Sequence, residues 1–429
     1  MSLNNEQPAF YGLGLAPSLL KKLDELKFIT PTPIQQKAIP NAINGDDLIG
    51  IAQTGTGKTL AFALPMIQRV SSTKSRGLVI LPTRELAIQV EEVFQKIGRS
   101  FGLRTAILIG GAAMGPQIKS LRNNPHVIVA TPGRLIDHLE QKIFSLENVK
   151  ILVLDEADRM LDMGFEPQIK KILTSVSSDR QTMLFSATMP EKISQIAKNY
   201  MKKPVRVEVA PSGTAAERVD QEVFFVEKNQ KTKLLKQILT EYRGTVLVFS
   251  RTKHGAKKIT QDVRNMGYTA AEIHSNRSLS QRREALDGFK TGRYRILIAT
   301  DIAARGIDVT GIELVLNFDL PDQAEDYVHR IGRTGRAGLK GKAISFAAPE
   351  QKRDVKSIEF LIRSRLPVKP LPNFNEPVAF NRPAIVSTVD QTDRPNNSNF
   401  PRRHENGAMK RKRRARNRIN LRRQGTPAN

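Results

Sequence analysis

Residues 150–158 read K-I-L-V-L-D-E-A-D, so Asp155, Glu156 and Asp158 follow directly on an unbroken apolar run. Crowded carboxylates need a cation, and magnesium carried by a nucleotide suits oxygen ligands of this kind. Taken alone, the same residues also fit a strand that ends in a polar turn. A second group, Ala52-Gln53-Thr54-Gly55-Thr56-Gly57-Lys58-Thr59, carries the glycines, lysine and hydroxyl of a phosphate loop, with Ala52 where the strict pattern has Gly. There, backbone N–H groups and a helix N-terminus cradle phosphates, Lys58 reaches the β- and γ-phosphates, and the Thr59 hydroxyl faces the metal. Arg330, Arg333 and Arg336 recur at every third position of H-R-I-G-R-T-G-R. On one helix they would share a face. The phosphate loop occurs in the other half of the chain, so these arginines are expected to reach the nucleotide across a cleft. Gln35, in P-T-P-I-Q, can both donate and accept and so can pair with an adenine edge.

These residues need elements to hold them. The apolar residues 48–51 predict a strand running into the phosphate loop, and residues 60–70 predict the helix behind it. Further strands are predicted at 77–81, 106–109, 126–130, 151–154 and 182–185, with helices over 85–94 and 190–200. Their tails read Pro82-Thr83-Arg84-Glu85, Gly110-Gly111, Thr131-Pro132-Gly133-Arg134, the carboxylates, and Ser186-Ala187-Thr188. Alternation of strand and helix predicts a parallel, doubly wound sheet whose strand tails gather on one rim. A breaker-rich linker is expected at 210–217. A second α/β run follows, with strands at 223–226, 245–249, 271–274, 295–299, 314–318 and 343–346. The expected organisation is domain one over 1–209, domain two over 218–366, and a disordered basic tail over 367–429.

The chain has 429 residues, a net charge of +26 and no cysteine. The charge favours a polyanionic partner, and the absence of cysteine excludes disulfides, thiolate metal sites and a Cys nucleophile. Neither a membrane-length apolar run nor a leader pattern is evident, so a soluble intracellular protein is expected. The basic charge is densest from Arg402 to Arg423, which includes K-R-K-R-R and the single acid Glu405. That tail is expected to be disordered and electrostatic.

Over about residues 10–366 the chain resembles the DEAD-box RNA helicases, through Phe28…Gln35, A-Q-T-G-T-G-K-T, P-T-R-E-L-A, G-G, T-P-G-R, D-E-A-D, S-A-T, V-F-S-R-T, A-T-D-I-A-A-R-G-I-D and Y-V-H-R-I-G-R-T-G-R in that order. D-R-M-L-D-M-G-F and V-L-V-F-S-R-T-K-H-G-A resemble the bacterial RhlE type. The resemblance implies two RecA-like domains closing on ATP, Mg2+ and single-stranded RNA, in a cytoplasmic protein with ribosomal or RNA-decay proteins as possible partners. It implies that Phe28 and Gln35 read adenine and that Thr54, Gly55, Thr56, Gly57, Lys58 and Thr59 hold the phosphates. Asp155 would place the metal, largely through water, and Glu156 would orient the attacking water. Asp158 would couple to Ser186 and Thr188, Asp308 would meet the ribose, and Arg333 and Arg336 would approach the γ-phosphate. RNA contacts would fall to Pro82, Thr83, Arg84, Gly110, Gly111, Thr131, Gly133, Arg134, Thr252, Arg282 and Thr300. Two positions depart from the family's pattern: Lys27 stands where Gly is favoured before the aromatic, and Leu279 where Gln is usual. The alternatives are a DNA helicase on the same engine and an RNA chaperone acting through the basic tail.

Overall fold

The apolar run at 151–154 becomes a strand because both of its faces are covered. In a computed structural model of the chain, Ile151 and Val153 pack into one hydrophobic cluster, while Leu152 and Leu154 pack into another on the opposite face. Each such side chain, fully buried, contributes about 1.5–3 kcal/mol. The structure describes residues 10–53, 55–209, 219–304, 309, 311–335 and 341–374. Thr54, the expected linker at 210–217, Asp308, Arg336 and the tail from 375 onward lie outside the described residues.

The first sheet contains β1 (Leu48–Ile51), β2 (Arg76–Ile80), β3 (Thr105–Leu108), β4 (Val127–Ala130), β5 (Val149–Leu154), β6 (Gln181–Ser186) and β7 (Val205–Glu208). Its strand order is β3-β4-β2-β5-β6-β1-β7, with every pairing parallel. The second sheet contains β8 (Val219–Phe225), β9 (Val246–Phe249), β10 (Ala270–Ile273), β11 (Ile296–Ala299), β12 (Leu314–Asn317) and β13 (Gly341–Ala347). Its order is β10-β11-β9-β12-β13-β8, again all parallel. Hydrophobic clusters on both faces of each sheet make two doubly wound, RecA-like layers.

Both sheets belong to one compact unit. Parallel strands of one direction put their carboxyl ends on one rim, and the sequence tails singled out above sit there.

Three differences from the expected elements have physical causes. β7 was not expected, because V-R-V-E alternates charge with a single buried residue, the pattern of a solvated edge. β8 begins at Val219 rather than 223, since its outward residues are polar at a sheet edge. Residues 367–374, expected within the tail, are tied to β8: Val223 N donates to Pro367 O at 3.0 Å and Lys369 N to Val223 O at 2.9 Å. Phe374 packs on the second sheet's core.

Candidate active site

The phosphate loop leaves β1 and turns into the helix Lys58–Thr73, whose preceding residue Gly57 has φ +90°. A side chain there would be strained, and a Cβ would collide with the Gln35 amide. Gln35 is buried; its Nε2 donates to Gly57 O at 3.0 Å and its Oε1 accepts from Thr32 N at 2.9 Å. One amide therefore joins the Pro33–Asn44 helix start to the phosphate loop. Phe28 packs partly against the core of the first sheet. Lys27, before it, has φ +61°, the left-handed backbone that explains why glycine suits this position. Thr56 Oγ1 donates to Gln53 O at 2.7 Å, which closes the loop on itself.

Lys58 is 5% exposed, and its Nζ donates to Ala52 O at 2.9 Å while lying 3.5 Å from Glu156 Oε1. Asp155 and Glu156 are equally buried. Asp155 Oδ1 accepts from Glu156 N at 2.9 Å. Burial pushes the Asp155 carboxyl up to about 7, with Lys58 opposing. Burial also acts to raise Glu156, but Arg159, Lys58 and Arg333 together hold it well below the carboxylate range. Glu156 has φ +54°, an energetically costly backbone for a non-glycine residue. Asp158 is consumed locally: its Oδ2 accepts from Ala187 N at 3.1 Å, Thr188 N at 2.8 Å and Thr188 Oγ1 at 2.9 Å. Its own N donates to Ser186 Oγ at 3.2 Å.

The second sheet completes this cluster. Arg159 Nε lies 3.0 Å from Glu156 Oε2, and its NH2 lies 3.3 Å from Nδ1 of His329. Burial, then Arg159, lowers His329 to about 4, against the pull of Asp158 and Glu156. Arg333 is 3% exposed, and its charge is felt at both Glu156 and His329.

Arg330 and Arg333 do not lie on one helix, so the shared face expected of them is not formed; Arg336 lies outside the described residues. The helix Ala324–Ile331 ends before Arg333. Arg330 turns into its own domain, donating to Asp301 at 2.5 and 2.7 Å, to Asn317 Oδ1 at 3.1 Å and to Asp319 O at 2.6 Å. Arg159 and His329 were missed in the sequence. Their only signal was adjacency to Asp158 and Arg330, and a buried arginine reads there like a solvated one.

Among the described residues no group of three or more His, Cys, Asp or Glu could hold a metal by itself. A buried carboxylate beside a phosphate loop, with its pKa raised, nonetheless fits Mg2+, which takes one or two carboxylates and completes its shell with water and phosphate oxygens.

The other expected contacts line the strand tails. Pro82 follows β2 and Thr83 caps the helix Arg84–Gly98, accepting from Leu86 N at 3.3 Å. The Arg84 guanidinium lies over Gly110 and Gly111. Thr131 N donates to Leu108 O at 2.9 Å, Gly133 is exposed, and Arg134 NH1 donates to Ala112 O at 3.0 Å. On the second sheet, Thr252 caps the helix Lys253–Asn265, accepting from Gly255 N at 3.0 Å, and Thr300 follows β11, its N donating to Ile273 O at 3.3 Å. Arg282 departs from this set: it is 8% exposed and its NH2 lies 2.8 Å from Glu85 Oε2 of the first sheet's helices. Beside it, Leu279 packs against the first sheet's apolar cluster, and Arg283 lies 3.2 Å from Glu92.

Residues 32–196 match the family model described as DEAD/DEAH box helicase, and residues 230–338 match the helicase conserved C-terminal domain. The chain is 43% identical over 369 residues to the ATP-dependent rRNA helicase RRP3 of Debaryomyces hansenii, covering 85% of this chain and 77% of that protein. It is 42% identical over 386 residues to the DEAD-box ATP-dependent RNA helicase CshA of Bacillus cereus, covering 89% and 74%. Its fold matches S. cerevisiae Dbp5 bound to RNA and ADP BeF3 with a TM-score of 0.76 at 32% identity, over 84% of this chain and 95% of that one. With both domains matched and identity of this order along most of its length, the chain belongs to the DEAD-box ATP-dependent RNA helicases.

Proposed function

We propose that the cluster of Lys58, Asp155, Glu156, Arg159, His329 and Arg333 is the ATP-hydrolysing centre, assembled only when the two sheets' rims meet. The observation that carries this reading is Glu156, a buried carboxylate within 3.5 Å of Lys58 and 3.0 Å of Arg159 from its own sheet and held ionised by these two and by Arg333 from the other. Phe28 and Gln35 would take the adenine, and Gly55, Thr56, Gly57, Lys58 and Thr59, with Thr54, the phosphates. Asp308 and Arg336, outside the described residues, keep the ribose and γ-phosphate roles that the resemblance implies. Mg2+ entering with ATP would be held by Asp155 and the Thr59 hydroxyl, largely through water, and would neutralise phosphate charge. Glu156, with so low a proton affinity, serves best by accepting a hydrogen bond from the attacking water and orienting it. That suits a loose phosphoryl transition state, where positioning and charge dominate. Arg333 would meet charge developing on the γ-phosphate.

RNA would run over Pro82, Thr83, Arg84, Gly110, Gly111, Thr131, Gly133 and Arg134 and continue to Thr252 and Thr300. These are backbone amides, hydroxyls and guanidinium groups, which suit phosphates and accept any base sequence. Arg282 is better read as a seam residue than as an RNA ligand, given its burial against Glu85. ATP and RNA each favour the closed arrangement, so each strengthens the other's binding, and a strand bent in the closed groove loses its partner. The similar fold of S. cerevisiae Dbp5 bound to RNA and ADP BeF3 supports this pairing of ligands. The rRNA helicase among the relatives supports a ribosomal RNA substrate, while the cytoplasmic location, the RhlE type and the ribosomal or RNA-decay partners rest on the sequence resemblance alone. Among the described residues no helix is long and apolar enough to cross a membrane. The test is ATP turnover stimulated by RNA against DNA of equal length: RNA should stimulate more strongly, and stronger stimulation by DNA would overturn the reading.

A further inference from the structure

Behind the Gly110-Gly111 turn lies a buried polar pair that no step so far uses. Gln117, in the helix Met114–Arg122, is 5% exposed, and His138, in the helix Pro132–Glu140, is fully buried. Gln117 Nε2 donates to Ile109 O at 3.1 Å and to Ala113 O at 3.2 Å, with Ala112 O at 3.5 Å. Its two N–H groups therefore staple the residues on either side of the glycine turn. Its Oε1 faces His138 Nε2 at 3.2 Å. With the amide nitrogen turned to carbonyls, the oxygen needs a donor, which fixes the neutral Nε2–H tautomer of His138. His138 Nδ1 has no hydrogen-bond partner, and the ring stands edge-on to Phe144 at 6.5 Å.

The middle carbonyl of the turn, Ala112 O, is taken by Arg134 at 3.0 Å. The carbonyls at 109, 112 and 113 are thus drawn inward, while the amides of Gly110 and Gly111 donate to no acceptor among the described residues. Gly111 has φ +73°, and a Cβ on it would collide with the Arg84 guanidinium. Gly111 is exposed and Gly110 half-buried, and the Arg84 guanidinium lies against both. Arg134, paired with Asp137 at 3.4 Å, braces the turn beside them, and unpartnered backbone amides at such a surface suit an anion.

We propose that Gln117 and His138 are positioning residues for RNA, a buried prop that holds Gly110, Gly111 and Arg134 in the shape that grips a phosphodiester. The inference rests on the proposal that this turn touches RNA. Neither residue reaches the ATP cluster, so its loss should act on RNA affinity alone.

The test is steady-state ATP turnover of the full chain titrated with single-stranded RNA. Gln117→Met keeps the length of the side chain and removes its donors. The RNA concentration for half-maximal turnover should rise about tenfold, the effect of a lost buried hydrogen-bond pair. Turnover at saturating RNA and the ATP requirement should stay within about twofold, the signature of lost uniform binding. His138→Phe preserves the ring packing, removes the Nε2 donor, and should give the same split; it carries the test if Gln117→Met does not fold. Gly111→Ala probes the underlying reading. A raised RNA requirement in Gly111→Ala with none in the other two variants overturns the prop and leaves the groove standing. No change in Gly111→Ala removes the groove reading and the inference with it. A joint loss of saturating turnover and ATP affinity, or failure of both prop variants to fold, assigns the pair a purely structural role and overturns the inference.

Discussion

Arg159 NH2 and His329 Nδ1 meet at 3.3 Å, one contributed by each sheet's helices. At that distance an imidazolium would face a guanidinium, so the contact requires a neutral ring. Glu156, Asp158, Arg159 and Arg333 all act on this ring, and burial is the largest influence.

The pH dependence follows. His329 is lowered from 6.5 to about 4 in the fold, so between those values the unfolded chain binds a proton that the folded chain refuses. Stability is then intact above pH 6.5 and falls as pH drops toward 4. His329→Asn should remove up to about 1–3 kcal/mol of that acid sensitivity. Comparing melting temperatures of the two proteins across this range checks it. Parallel curves would show that His329 does not titrate in this way.

Glu156→Gln should abolish ATP turnover while retaining ATP binding, since the amide leaves the phosphate loop untouched. Arg333→Ala should lower turnover by about 10³-fold, the lower range for an arginine supplied across a cleft. Filter binding of nucleotide alongside a phosphate-release assay separates the two effects. Near-normal turnover in either variant would sink the assigned roles.

Glu85 and Arg282 are both buried across the seam between the sheets. Single changes to Ala should each reduce RNA-stimulated turnover, while a double-mutant cycle should return a coupling of about 0.5–3 kcal/mol. An Arg282→Ala effect that is fully additive with Glu85→Ala would argue for direct RNA contact by Arg282 instead.

Deleting residues 402–423 removes a dense run of arginine and lysine. RNA binding should weaken and its dependence on salt should flatten, because fewer counterions are released per complex. Titration at several salt concentrations measures the slope, and an unchanged slope would leave the tail without an electrostatic role.

Much of the fold was legible in the chain because two-sided burial imposes a simple pattern. The uninterrupted run Ile151–Leu154 suited a strand buried on both faces of a sheet, and the loop from Gly55 to Thr59 suited the end of such a strand. Edges were harder: β7 hides its single buried valine among charges. Side chains that meet across the two sheets were harder still. The resemblance implied an RNA contact at Arg282, and only three-dimensional placement shows Glu85 beside it. Arg330 and Arg333 illustrate the same limit, since spacing by three suggested a common face while a helix end at Ile331 sends them to different tasks.

The Gln35 amide, bonded at once to Thr32 N and Gly57 O, has a further consequence. If the adenine edge also engages this side chain, the choice of base and the grip on phosphate share one mechanical part. A guanine or pyrimidine nucleotide would then do more than occupy the pocket weakly. It would pull on the amide that holds Gly57 O, so fidelity for the base would show itself in the rate of cleavage as well as in occupancy.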